Sequence, residues 1–290
     1  MAIDLREKYG EQIEKAFIQA SKTNLVCDTN NMEFVGNKTV KVHTLTLPSE
    51  MQDYARTILA GKNNGKSLFG DTKGVGLEVE ELTMTQDKSE HIYIDAMDEE
   101  ESCLQAGETL SSYIQTVAQP TIDKYRYSTM VAKAGKTISI GAINDADDTE
   151  LTSKAYDSII EATENLDDNQ VPEVGRVCIV SPKFYKNLKQ SECVLTGDEV
   201  SAEERRQGVI AKLDGMPIIK VASAYLPANV QFIVTVPSAT KAPVKYSKME
   251  VREAGNDGDG YFLNIRLYFD AFVTKNNTKA IVVGKTTVKA

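Results

Sequence analysis

The sequence predicts an α+β fold. Apolar residues recur at helical spacing over residues 98–135 and 151–166. Short segments of strand alternation separate the helical stretches, and from Gly208 onward strand signals dominate. With 290 residues, 41% hydrophobic and 26% charged, the composition is that of an ordinary globular protein of one large or two average domains. A chain of this length buries most of its unfolded surface without disulfide staples.

Each element follows from local pattern. Residues 3–22 place Leu5, Tyr9, Ile13, Ala16, Phe17 and Ala20 on one face, with Glu and Lys elsewhere, which predicts an amphipathic helix. Residues 34–47 change to period two, a half-buried strand ended by Pro48. Residues 48–80 hold seven glycines and asparagines among Lys62, Lys66 and Lys73 and offer little apolar surface to pack. Strand signals flank this stretch at Leu77–Glu81 and His91–Ile94, so the expectation is a long two-stranded arm. Such a ribbon is marginal alone in water, and a partner surface would stabilise it.

Asp98-Glu99-Glu100-Glu101 then complements a helix dipole. Leu104, Leu110, Tyr113, Val117, Ile122, Tyr125 and Met130 continue at helical intervals, with Pro120 expected to kink the helix and Gly135 to cap it. Uninterrupted, about 36 residues at about 1.5 Å each would make a helix on the order of 50 Å long. A strand at 137–140, a helix at 151–166, a strand at 177–180 and a helix opened by Pro182 suggest an α/β module. Strands are expected at 218–221, 230–236, 244–251, 261–273 and 279–283.

Charge and chemistry narrow the function. The balance of 33 basic to 42 acidic residues, formally −9, argues against a protein that reads nucleic acid through a basic groove. It does not argue against a protein that encloses nucleic acid. Cys27, Cys103, Cys178 and Cys193 form no CxxC pair, and His43 and His91 are the two histidines, so metal-ligand spacing is absent. The cysteines read as reduced and mostly buried. Asp4, Arg6, Glu7 and Lys8 interrupt any signal-peptide core, and no segment is apolar enough to span a bilayer.

Gly74-x-Gly76 lacks the third glycine and following helix of a nucleotide loop. Asn256-Asp257-Gly258-Asp259-Gly260 could suit calcium but lacks the loop's spacing and closing glutamate, and a hairpin turn is the preferred reading. Asp145, Asp147, Asp148 and Glu150 read as a solvated loop rather than a metal site. No serine or cysteine elbow accompanies either histidine, so no catalytic, cofactor or metal residue is assigned.

Several passages carry a resemblance. They are Pro120-Thr121-Ile122-Asp123-Lys124-Tyr125-Arg126, Val171-Pro172-Glu173-x-Gly175-Arg176-Val177, Ile179-Val180-Ser181-Pro182-x-Phe184-Tyr185, Leu213-Asp214-Gly215-Met216-Pro217-Ile218-Ile219 and residues 260–273. In this order and spacing the chain resembles the major capsid proteins of tailed double-stranded DNA bacteriophages, with the Hong Kong 97-type coat fold. The resemblance covers almost the whole chain.

It implies an N-terminal arm (1–47), an extended β-hairpin loop (48–96), a long spine helix with the first part of a peripheral domain (97–140), an axial α/β domain (141–240) and return strands of the peripheral domain (241–290). It also implies a structural, non-enzymatic protein without cofactors, located in the virion and assembled in the bacterial host cytoplasm. Hexamers and pentamers of this homo-oligomer would tile an icosahedral capsid enclosing double-stranded DNA without sequence-specific binding and without a membrane. Portal, scaffolding or decoration proteins are the further partners it admits. Some coat proteins begin with a long cleaved scaffolding segment, whereas here the amphipathic arm starts within the first few residues, so scaffolding is expected as a separate protein.

Leu5, Ile13, Phe17, Lys62, Lys66 and Lys73 are the expected inter-subunit contacts. Some members of the fold join lysine to asparagine between subunits, and Lys62, Lys66, Asn63 and Asn64 lie in the expected loop. An encapsulin-type nanocompartment shell and a soluble α/β enzyme are the alternatives.

Overall fold

A computed structural model of the chain describes residues 21–29, 33–35, 38–46, 51, 54, 73–96, 106–140, 149–190, 209–213, 215–255 and 258–286. The chain divides into two compact units, one of Met32–Met84 and one of Met1–Asn31 with Thr85–Ala290.

In the Met32–Met84 unit, β1 (Glu33–Val35), β2 (Thr39–Thr46) and β3 (Gly76–Thr83) form an antiparallel sheet in that order. Val40 is fully buried opposite Phe34 on one side and Leu82 on the other. Lys41 and Glu81 pair across the strands at 2.8 Å. The arm therefore forms from β2 and β3, not from β3 and the strand at His91–Ile94. Met84-Thr85 offers none of the glycine or asparagine chemistry of a tight hairpin turn. Instead the Met84 N–H donates to the Lys38 carbonyl at 2.7 Å, and β3 stays with β2.

The larger unit, which includes Met1–Asn31, resumes at Thr85. Here β4 (Gln86–Asp95) enters a different antiparallel sheet, described below. A long helix follows as α1 (Ala106–Tyr113), a π-helical stretch Ile114–Ala118 and α2 (Gln119–Ala132). Pro120 has no N–H and its ring crowds the carbonyl four residues earlier. The wide turn absorbs this: the Gln119 N–H reaches back to the Ile114 carbonyl, and the Thr121 hydroxyl donates to the Val117 carbonyl at 2.7 Å. The proline is therefore accommodated by a π segment within a continuous helical run, and the helix is not broken.

The helix ends at Ala132, short of Gly135. Gly135 has an ordinary φ and serves close approach instead. A side chain there would press on the Thr278–Lys279 backbone, and its N–H donates to the Thr278 carbonyl at 2.9 Å.

Next come β5 (Lys136–Ser139), α3 (Thr149–Asp168), β6 (Val177–Val180), α4 (Pro182–Gln190), β7 (Val209–Leu213), β8 (Met216–Lys220) and β9 (Val230–Thr235). Pro182 opens α4 as expected, with the Ser181 hydroxyl accepting from the Phe184 N–H at 3.2 Å. The Leu213–Met216 passage is a hairpin corner joining β7 to β8, with Gly215 at φ +73°.

The chain continues through β10 (Thr240–Lys241), β11 (Val244–Glu253), β12 (Gly260–Phe269), β13 (Phe272–Val273) and β14 (Ile281–Lys285). Strands β11 and β12 pair antiparallel down to Glu253 opposite Tyr261, as a hairpin requires, while Asn256 and Asp257 lie outside the described residues. The 261–273 run is two strands, because Asp270-Ala271 turns the chain between β12 and β13.

Two sheets organise this unit. The first has the order β11-β12-β4. Alternate residues of β12 (Leu263, Ile265, Leu267, Phe269) are buried, and the long helix covers them with Leu110, Tyr113, Ala118, Ile122 and Tyr125. The second sheet has the order β5-β14-β9-β6-β8-β7, with β14/β5 and β6/β8 parallel.

All four residues of β6 are buried, and Ala155, Ile159, Ala162 and Leu166 of α3 and Phe184 and Leu188 of α4 complete the largest core with the sheet. Strand β14, expected among the return strands of the first sheet, lies in this one between β5 and β9. Its run Ile281-Val282-Val283 is buried on both faces, as a central strand of a covered sheet must be.

Gly284 of β14 lies against the Phe232 ring, and a Cβ there would overlap it. Gly284→Ala is expected to destabilise the subunit by roughly 1–3 kcal/mol through overpacking. Thermal unfolding of the two proteins would measure the lowered midpoint; an unchanged midpoint would contradict the close packing.

Candidate assembly surfaces

The residues fall into buried polar anchors that stiffen the body and exposed strands that leave surface unused. Asp270, in the corner between β12 and β13, is 2% exposed. Its Oδ1 accepts from the Tyr125 hydroxyl and the Ala271 N–H, both at 2.7 Å. Its Oδ2 accepts from the Thr85 N–H at 2.6 Å and the Thr85 hydroxyl at 3.1 Å. One carboxylate therefore joins the long helix, the β12–β13 corner and the first residue beyond the Met32–Met84 unit. Burial pushes the Tyr125 hydroxyl pKa up, and its bond to Asp270 adds to the shift.

A second anchor holds the segment at 21–28. The Thr23 hydroxyl donates to Asp123 Oδ1 at 2.7 Å and accepts from Arg126 Nη1 at 2.7 Å, so it bridges an acid and a base on one face of α2. Ser21 adds a bond to the same oxygen at 2.9 Å. Burial pushes the Asp123 carboxyl up, opposed by the bonds from Thr23 and Ser21 and by the Arg126 charge. Five residues on, Asp28 pairs with Lys241, and its backbone bonds Thr240 and Ala242 at 2.9 Å each. Nothing in the sequence pattern singles out Thr23 or Asp270, because each acts through partners about a hundred or more positions away.

The candidates for chemistry resolve differently. His91 stacks on Phe262 with ring centroids 4.6 Å apart, and its Nδ1 lies 2.5 Å from Asn264 Oδ1. Beside it, an open depression of about 460 Å³ is lined by Ser89, His91, Lys248, Asn264 and Arg266. Its cations are matched by acids. Arg266 grips Asp87 in a two-point pair at 2.8 and 3.1 Å, and Lys248 meets Glu250 at 2.7 Å. This is a paired-charge sheet face without a nucleophile joined to a base.

Cys27 and Cys178 are buried free thiols, each pushed up to about 12 by burial. Among the described residues, no cluster of His, Cys, Asp and Glu could hold a metal ion, and no helix is long and apolar enough to cross a membrane. Gly74 has open space around it in the chain leading into β3.

Of the expected contact residues, Lys73 is exposed at the approach to β3. Leu5, Ile13, Phe17, Lys62 and Lys66 lie outside the described residues, as do Asn63, Asn64, Cys103, Cys193 and the acidic residues Asp145, Asp147 and Asp148. The sequence predicts the strands at 77–81 and 244–251 but does not single out their exposed apolar residues as contacts. Leu77 and Val79 of β3 are 63% and 44% exposed, and Val251 of β11 is 41% exposed. The signal was present as strand alternation in segments rich in charge.

No protein-family model and no curated protein matches the sequence. Solved structures do match it from end to end. The Mycobacterium phage Che8 structure superposes with a TM-score of 0.69 at 21% identity, covering 98% of each chain. The capsid structure of the cyanophage P-SCSP1u gives 0.70 at 16% identity, covering 99% of this chain and 94% of that one. The asymmetric unit of the bacteriophage PhiM1 mature capsid gives 0.69 at 14% identity, with 99% and 93% covered. The chain therefore has the α+β fold of these phage capsid subunits.

Asp270→Ala would leave the Thr85 N–H and the Tyr125 hydroxyl short of an acceptor, at about 1–3 kcal/mol each. A thermal midpoint well below that of the wild type is expected, together with faster proteolysis near Thr85. A variant as stable as the parent would show that the anchor carries no weight.

Proposed function

We propose that this chain is the major capsid protein of a tailed bacteriophage, a Hong Kong 97-type coat subunit that self-assembles into the icosahedral head around double-stranded DNA. The observation that carries the reading is the superposition on phage capsid subunits over 98–99% of the chain. Agreement over that length includes the peripheral strands as well as the core, so the whole tile is shared and not one common module. The charge-paired sheet face and the exposed strand edges support a structural protein over a soluble enzyme.

The sheet under the long helix serves as the peripheral domain, and the six-stranded sheet with α3 and α4 forms most of the axial domain, meeting its copies at the centres of hexamers and pentamers. Residues 1–20 act as an arm along an adjacent subunit through Leu5, Ile13 and Phe17. The loop carrying Lys62, Lys66 and Lys73 lies across a neighbour. Portal, scaffolding and decoration proteins complete the particle, which assembles in the host cytoplasm. At about 25 cal/mol per Å² of apolar area, each arm contact contributes a few kcal/mol gross. Repetition closes a shell from contacts weak enough to be corrected.

Electron microscopy of the expressed full chain is the test. Closed shells or rings of capsomers are expected, and shells from the phage-infected host should contain DNA. A sharp monomer at every concentration would favour an enzyme, and genome-free shells from the native source would favour a nanocompartment.

Deleting residues 1–20 keeps Ser21 and Thr23 on their anchor at Asp123. The truncated subunit is expected to stay folded by circular dichroism but to lose stable shells. Normal particles from it would remove the arm from the mechanism.

A further inference from the structure

Arg126 of α2 is a buried cation without an acid against it. It is 4% exposed, and its Nη1 donates to the neutral side-chain oxygens of Thr23 at 2.7 Å and Asn24 at 3.3 Å. Its Nε is buried and has no partner. A guanidinium in such a site ordinarily takes a carboxylate in a two-point pair. Asp123 is at hand, three residues earlier on the same helix, a spacing that brings opposite charges together. Yet the two make no direct ion pair, because the Thr23 hydroxyl stands between them, donating to Asp123 and accepting from Arg126. Burial pushes the Asp123 carboxyl up even with the bonds from Thr23 and Ser21 in place.

The segment that supplies this hydroxyl has two unlike ends. Ser21, Lys22, Thr23 and Asn24 are all polar. Polar contacts hold them to the body: Ser21 and Thr23 on Asp123, Arg126 on Thr23 and Asn24, and Lys22 Nζ on the Lys220 carbonyl at 2.8 Å. Beyond them, Val26 and Cys27 are buried in the largest core, and Asp28 pairs with Lys241. Apolar burial therefore fixes the far end, whereas lifting residues 21–24 uncovers almost no apolar surface.

We infer that residues 21–24 are a releasable latch hinged ahead of Val26, with Thr23 as its wedge: when the wedge withdraws, Asp123 and Arg126 close on each other in a direct ion pair. That pair gives Nε the acceptor it lacks and gives the carboxylate a full charge as its partner. Opening exchanges hydroxyl bonds for a charged pair on the helix, and the body stays folded with the latch open or closed. The device lies within one subunit, so it stands or falls apart from the shell reading.

Thr23→Val in the full-length protein tests it. Tryptic cleavage after Lys22 is expected to speed up roughly 5- to 30-fold, the effect of one or two lost hydrogen bonds, while Thr23→Ser keeps the wild-type rate. Crossing Asp123→Asn with Arg126→Gln measures the coupling of the two charges by thermal unfolding. That coupling should be larger in the Thr23→Val protein than in the wild type. Should Arg126→Gln fail to fold, Asp123→Asn decides alone, by lowering the midpoint more in the Thr23→Val protein than in the wild type. Cleavage unchanged by Thr23→Val, or a coupling or Asp123→Asn effect no larger without the hydroxyl than with it, would overturn the latch.

Discussion

The Asp270 carboxylate is the point on which the larger unit turns. Four donors from three separate elements converge on it in a site almost closed to water. A buried carboxylate is costly without such partners and rigidly placed with them. Its bonds fix where the chain enters β4, how α2 lies over β12, and where the chain leaves the sheet for β13. The long helix can then bury Ala118, Ile122 and Tyr125 on Ile265, Leu267 and Phe269 in one register. Tyr125 serves both purposes, with its ring edge-on to Phe269 and its hydroxyl on Asp270.

The second constraint is the polar triplet of Thr23, Asp123 and Arg126. It ties the segment after the first twenty residues to the same helix, and Asp28 with Lys241 ties it again near β10. The segment 21–28 is therefore held at two points of the body.

The body's charges are matched internally, and apolar side chains stand exposed on two edge strands. The depression beside His91 shows the first habit: Arg266 with Asp87 and Lys248 with Glu250 leave little electrostatic demand on that face. Strands β3 and β11 show the second: they end their sheets among the described residues, with Leu77, Val79 and Val251 exposed. A monomeric enzyme gains nothing from such edges, whereas a subunit built to tile does.

Much of this was written in local pattern. The period-two alternation of residues 39–46, the helical spacing from Leu110 to Met130, the buried run at Val177–Val180 and the proline opening α4 each belong to one element, so neighbouring residues suffice to determine them. The α+β fold class was legible too, because helical and strand periodicities alternate along the chain. The sequence could not decide which strands pair. Strands β3 and β4 are adjacent in sequence, yet β3 joins β2 and β4 joins β12, because Met84-Thr85 lacks turn chemistry and Asp270 claims Thr85 from 185 positions away. Strand β14 reads the same whichever sheet it enters, and only Gly284 beneath Phe232 and the two flanking strands place it. Local periodicity is set by each residue's neighbours in the chain, and it fixed the kinds of element here. Their partners depended on buried polar groups and close contacts between distant residues, which only the folded chain brings together.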